Sequence, residues 1–192
     1  STKDENAKGY AERIKYSPFD NTVLVAGASA YGGKPILTKV KANGQIQFVS
    51  GLDLNVYSTF KDLEVYEDGS VIATGLHNVN WLSIYQLLVV KFDASGAQKW
   101  QKFYYYSDQN GGIQALGNSI CKTDDGNAMI VGYITENNSQ SSYLRLMKIN
   151  QSGDSIFTTK YLEPSWNGEK IVGYKIVNLP DNKLLIYCHK GD

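Results

Sequence analysis

Apolar residues along the chain come in short runs separated by clusters of Gly, Asp, Asn and Ser, and the runs are rich in Val, Ile and Tyr. Runs of that length and composition read as β-strands bounded by turns. No segment carries a convincing helical spacing. Trp81–Val90 comes nearest to one, but its β-rich flanks place it among the strands. The clearest element is the hairpin from Leu87 to Phe103. A buried-type strand, Leu87–Phe92, ends at Asp93-Ala-Ser-Gly96, where Asp caps the turn and Gly supplies a left-handed residue; a return strand follows, carrying Trp100 and Phe103. One hairpin is marginal in water, so it must pack on other elements.

Those elements are copies of itself. Lys91-Phe-Asp-Ala-Ser-Gly96 is matched by Lys148-Ile-Asn-Gln-Ser-Gly153 and by Lys39-Val-Lys-Ala-Asn-Gly44. Four residues after each Gly stands an aromatic: Phe48, Trp100 and Phe157. A second motif interleaves with the first. Asp68-Gly69-Ser-Val-Ile-Ala-Thr-Gly75 is matched by the segments 20–27, 125–132 and 181–188, with Asn21 and Asn182 in place of the first Gly and Cys188 in place of the last. Asp-Gly and Asp-Asn both serve a tight turn that needs positive φ. The unit is therefore strand, Asp-Gly turn, strand, long loop, strand, Ser-Gly turn, strand.

A four-stranded unit recurring at roughly 50 residues is the sequence mark of a β-propeller blade. The pattern D-G-x5-G followed by K-x-D-x-x-G-x3-W resembles the repeats of bacterial secreted and surface β-propeller proteins. It lacks the Gly-His and Trp-Asp pair of WD repeats and the Gly-Gly of kelch repeats. The expected fold is all-β: a propeller of about three and a half four-stranded antiparallel blades. Residues 1–9 form a polar N-terminal arm and 10–192 the repeats, with blades near 10–52, 59–105 and 116–162 and a partial one at 173–192. Propellers close with about four to eight blades, and an open arc exposes unpaired edges. Three resolutions stand open: the chain is part of a longer polypeptide, it is completed by a copy of itself or another chain, or its own termini cap it in an arc or sandwich.

Composition narrows the function classes. The 192 residues carry 19 basic and 19 acidic side chains, and no stretch is basic enough for a phosphate backbone, so nucleic acid is not an expected partner. No apolar segment reaches the roughly 20 residues of a membrane helix, so membrane insertion is not expected. Cys121 and Cys188 read as buried free thiols, with a disulfide between neighbouring blades as the alternative. Adjacent residues of a strand face opposite ways, so Cys188-His189 does not read as a metal pair. Asp124-Asp125-Gly126 lacks the alternating oxygen ligands of a calcium loop, and the two histidines have no nucleophile elbow beside them. Glu64 and Glu67 flank a turn and read as solvated. Asn137 and Asn150 open glycosylation sequons, relevant only in a secreted eukaryotic protein. No cofactor, metal or catalytic constellation is implied.

Blade topology sorts the loops. First-to-second and third-to-fourth turns share one end and are tight; the remaining loops share the other end and are long, polar and aromatic. Recognition residues concentrate on such loops, and exposed Tyr and Trp are favoured at hot spots and as sugar platforms. The candidate binding residues are accordingly Tyr31, His77, Trp81, Tyr105 and Trp166, with packing under the loops as the competing role for each. The expected function is a non-catalytic binding or scaffold module, extracellular or at the cell surface, that recognises a protein or glycan. A self-associating structural subunit and a fragment of a propeller enzyme are the alternatives.

Overall fold

The computed structural model describes residues 9–29, 33–54, 56–80, 84–104, 114–135, 141–161, 170–181 and 183–191. The described residues hold fourteen strands and no helix. The first unit is β1 (Gly9–Ser17), β2 (Thr22–Ser29), β3 (Pro35–Lys41) and β4 (Ile46–Gly51); the second is β5 (Ser58–Val65), β6 (Val71–Asn80), β7 (Ile84–Phe92) and β8 (Gln98–Tyr104). The third is β9 (Gln114–Lys122), β10 (Ala128–Thr135), β11 (Ser142–Ile149) and β12 (Ser155–Tyr161), and a two-stranded fourth is β13 (Lys170–Leu179) and β14 (Lys183–Gly191). Each of the first three is an antiparallel sheet in sequence order; β13 touches β11 through one parallel bridge, Ser142↔Lys170. The expected four-strand units are thus present. Gly9, assigned to the arm from the sequence, opens β1, and the rest of the arm lies outside the described residues.

The turn chemistry is as the residues dictate. Gly69, Gly96, Gly126 and Gly153 all have φ between 77° and 87°, and Asn21 takes the same role at 56°. In the fourth unit Asp181 carries a positive φ, at 64°. Asp93 Oδ1 accepts from the backbone N–H of Ser95 and Ala97, each at 3.0 Å, and from the Ser95 hydroxyl at 2.6 Å. Asn150 repeats this cap, accepting from the N–H of Ser152 and Asp154.

The units stack face to face. β5 lies across β1, β2 and β3, β9 across β5, β6 and β7, and β13 across β9, β10 and β11. Each junction is an apolar layer. Leu24, Ala26 and Leu37 meet Leu63, Leu88 and Val90; Ile72, Leu87 and Val89 meet Ile120, Ile130 and Met147; Met129, Val131 and Leu144 meet Ile171 and Ile176. The aromatic of the Ser-Gly motif belongs to this stacking. A Cβ on Gly96 would lie 2.6 Å from the Phe48 ring and one on Gly153 3.1 Å from Trp100, so the aromatic of one unit covers the turn glycine of the next. Trp100 Nε1 also donates to the Gln151 carbonyl at 3.0 Å.

Candidate functional site

The first strand of every unit contains a β-bulge, and the four bulges define an axis. The register slips at Glu12 in β1, Lys61 in β5, Asn118 in β9 and Tyr174 in β13. A bulge sets two residues against one and re-aims the side chains that follow it. The motif glycine on the second strand exists for this slip. A Cβ on Gly27, Gly75 or Gly132 would lie 2.0, 1.9 or 1.8 Å from a carbonyl oxygen of the bulged strand. In the fourth unit Cys188 stands at that position, and its partner across the pair is Gly173, so the glycine has moved to the other strand.

The residue after each bulge is Arg13, Asp62, Ser119 or Lys175, and these four converge. Asp62, 1% exposed, lies 2.9 Å from Arg13 Nε and 2.8 Å from Lys175 Nζ, and accepts from Ser119 Oγ at 2.6 Å. It also takes the N–H of Leu63 at 2.9 Å and of Ile120 at 3.2 Å, while Ser119 Oγ accepts from the N–H of Ile176 at 3.3 Å. Burying a carboxylate is tolerable only with this degree of pairing. One turn of side chains to either side, Glu12 pairs with Lys61 at 2.5 Å and Lys15 with Glu64 at 2.6 Å. The expectation that Glu64 is solvated is corrected: its side chain is 13% exposed and also accepts from the N–H of Lys122. Glu67, 75% exposed beside Lys122, is solvated.

Two cavities flank the Asp62 cluster along the axis. Toward the long loops, a cavity of about 750 Å³ is lined by Lys61, Asn118, Tyr133, Lys170 and Tyr174, with Ser142 at its wall. Burial raises the Tyr133 phenol above its ordinary pKa, keeping it a neutral hydrogen-bond donor. Toward the tight turns, a cavity of about 570 Å³ is lined by Lys15, Glu64, Cys121, Asp124, Lys175 and Asn178.

Of the five residues singled out from the sequence, His77 is described. Its Nδ1 lies 2.8 Å from Ser58 Oγ, its ring is 4.5 Å from that of Phe103, and desolvation lowers its pKa, so it is a packed, neutral imidazole away from the axial cavity. Tyr31, Trp81, Tyr105 and Trp166 lie outside the described residues. Both cysteines are free thiols at the junction of the third and fourth units, and burial raises the Cys121 thiol to about 12. The Asp125 carboxylate is occupied by Lys148 at 2.6 Å, Thr123 at 2.6 Å and Asn127. The axial cluster is the part sequence reasoning missed; its signal was the run of charges inside first strands, Arg13, Lys15, Lys61, Asp62 and Glu64, where alternation alone predicts apolar faces.

No protein-family model and no curated protein matches the chain. Among solved structures, it is similar to a chain of Kuenenia stuttgartiensis hydrazine synthase, with a TM-score of 0.66 over 92% of this chain at 16% identity. This chain spans 49% of that one, and at this identity the likeness concerns the fold alone. The class it defines is an all-β, propeller-like array of antiparallel four-stranded sheets.

Proposed function

We propose that the units are blades of a β-propeller and that the chain is a non-catalytic binding module, taking a glycan or an acidic protein segment at the long-loop end of the blade axis. The observation that carries the reading is the 750 Å³ cavity. Its wall combines the Lys170 ammonium, and that of Lys61 with its Glu12 partner, with the Asn118 amide and the phenols of Tyr133 and Tyr174, all on paired strands. Convergent donors on a rigid frame with aromatic surface beside them suit hydroxyl-rich and carboxylate-bearing ligands. Binding rather than catalysis is supported by the state of the axial carboxylates. Asp62, Glu12 and Glu64 each hold an ion pair within the chain, at 2.9, 2.5 and 2.6 Å, so their oxygens are engaged in holding the units together. The resemblance of the repeats to secreted and surface propellers supports a location outside the cytoplasm.

A glycan array probed with this chain, followed by titration calorimetry on the glycan it selects, tests the reading. Tyr174→Ala and Lys170→Ala should each weaken binding about tenfold or more, consistent with losing ~1–3 kcal/mol of a hot-spot contact. Lys15→Ala, at the other end of the axis, should leave it unchanged. Equal affinity for all three variants contradicts the site.

A further inference from the structure

The two lysines on the wall of the 750 Å³ cavity differ in what they have left to give. Lys61 Nζ lies 2.5 Å from a Glu12 carboxylate oxygen, so its charge is already answered within the chain. Lys170 opens β13 and is exposed, and among the described residues it has no ion-pair partner. Its backbone is tied to the wall by the parallel bridge to Ser142. Ser142 is 4% exposed and its hydroxyl meets that of Thr135 at 2.9 Å, so the corner that carries Lys170 is built on paired strands. No carboxylate lines the cavity among the described residues. The wall therefore presents a cation whose counter-charge has to come from a ligand.

The neutral groups sharpen the match. The phenol of half-buried Tyr133 stays protonated at neutral pH and is a donor beside that cation. Tyr174, 49% exposed on its bulge, adds an open aromatic surface. Asn118 supplies an acceptor of fixed orientation. Its amide faces the Gly173 carbonyl at 2.8 Å, and a carbonyl only accepts, so Nδ2 is spent there and Oδ1 is the atom left over. A complementary ligand brings an acceptor-only anion to Lys170, a hydroxyl donor to Asn118 and an apolar ring face to Tyr174. A volume of about 750 Å³ lies within the ~300–1,000 Å³ of small-ligand pockets, which suits a compact sugar better than an extended peptide.

We infer, building on the assignment of this cavity as the binding site, that its ligand is an acidic glycan, a sugar whose carboxylate or sulfate group is held by Lys170. The charge of the ligand is then the selective feature, and Lys170 is the residue that reads it. Tyr174 and Asn118 contact the sugar whether or not it is charged.

The test is a glycan array in which every uronate-, sialate- and sulfate-bearing member has its neutral counterpart, followed by titration calorimetry on the best acidic member and that counterpart. The acidic member should bind about tenfold tighter or more, the difference made by a hydrogen bond to a charged group. Lys170→Gln should bring it down to the affinity of the neutral counterpart and leave the neutral one unchanged, and Lys170→Arg should restore the gap. Lys170 is exposed, so these variants should keep the thermal midpoint of the parent. Whether uronate or sulfate members lead the array identifies the anion. Neutral members that bind as tightly as acidic ones, yet are weakened by Tyr174→Ala, overturn the acidic ligand and leave the cavity as the site. A glutamate-rich peptide that binds as tightly as the best glycan, and is weakened by Lys170→Gln, overturns the glycan in favour of a protein segment. An array with no bound member overturns both the inference and the glycan site.

Discussion

Arg145 shows how one residue departs from the repeat and what that costs. It sits opposite Gly132 as Leu88 sits opposite Gly75, so it holds a position that is apolar core in the second unit. Its side chain is 4% exposed, Nε donates to Thr158 Oγ1 at 3.2 Å, and Nη1 is buried with no hydrogen-bond partner among the described residues. Burial lowers its pKa to about 10, so the group is still a cation at neutral pH and carries an incompletely compensated charge. Arg145→Leu should therefore stabilise the chain by ~1–3 kcal/mol, since apolar replacement of a buried ion removes a desolvation cost. That corresponds to a thermal midpoint higher by about 2–4 °C per kcal/mol for a domain of this size. A lower midpoint would mean that the guanidinium has a partner of greater value than its burial suggests. Nothing in the sequence flags this site, because Arg on a strand normally points to water.

At the scale of elements, the turns were the most legible part of the chain and the bulges the least. Gly69, Gly96, Gly126 and Gly153 announce positive φ directly, and Asp93 and Asn150 announce the caps around them. Gly27, Gly75 and Gly132 were visible as a motif, but their reason lies on the neighbouring strand, whose carbonyl needs the space. No single-strand pattern encodes such a slip. The turn carboxylates also set an acid limit. For Asp20, burial raises the pKa, but hydrogen bonds from Lys39 and Thr22 outweigh it and hold the group at about 2. Bonds from Lys148 to Asp125, Ser70 to Asp68 and Lys102 to Asp154 lower those groups as well. A folded pKa below the unfolded value of about 3.9 adds stability that is present above the unfolded pKa and lost as pH falls through the folded one. Stability should thus drop between about pH 4 and pH 2. Urea titrations of Asp20→Asn should show lower stability at neutral pH, because Lys39, 3% exposed, loses its counter-ion, and a shallower decline on acidification. An unchanged pH slope would remove Asp20 from the set.

At the scale of the whole molecule, repeat spacing revealed how many units there are and left open what they surround. The strands of each unit follow from alternation and turn chemistry, whereas the axis arises from side chains contributed by units far apart in sequence. Asp62 of the second unit meets Arg13 of the first, Ser119 of the third and Lys175 of the fourth, a meeting that depends on how sheets stack rather than on any local motif. The candidate aromatics of the long loops were legible as residue types; the polar wall of Lys61, Asn118 and Tyr174 was not, since three bulges place it there. The convergence on Asp62 is the central claim, and a double-mutant cycle on thermal and urea stability with Arg13→Ala, Lys175→Ala and the double variant tests it most directly. Each cation is about a third exposed and the other remains beside Asp62, so the single variants should cost little, about 1 kcal/mol or less. The double variant strands a buried carboxylate and should cost ~3–5 kcal/mol, well beyond the sum. Additive effects would mean that the two ends of the chain do not meet at one carboxylate, and the axial arrangement would be wrong.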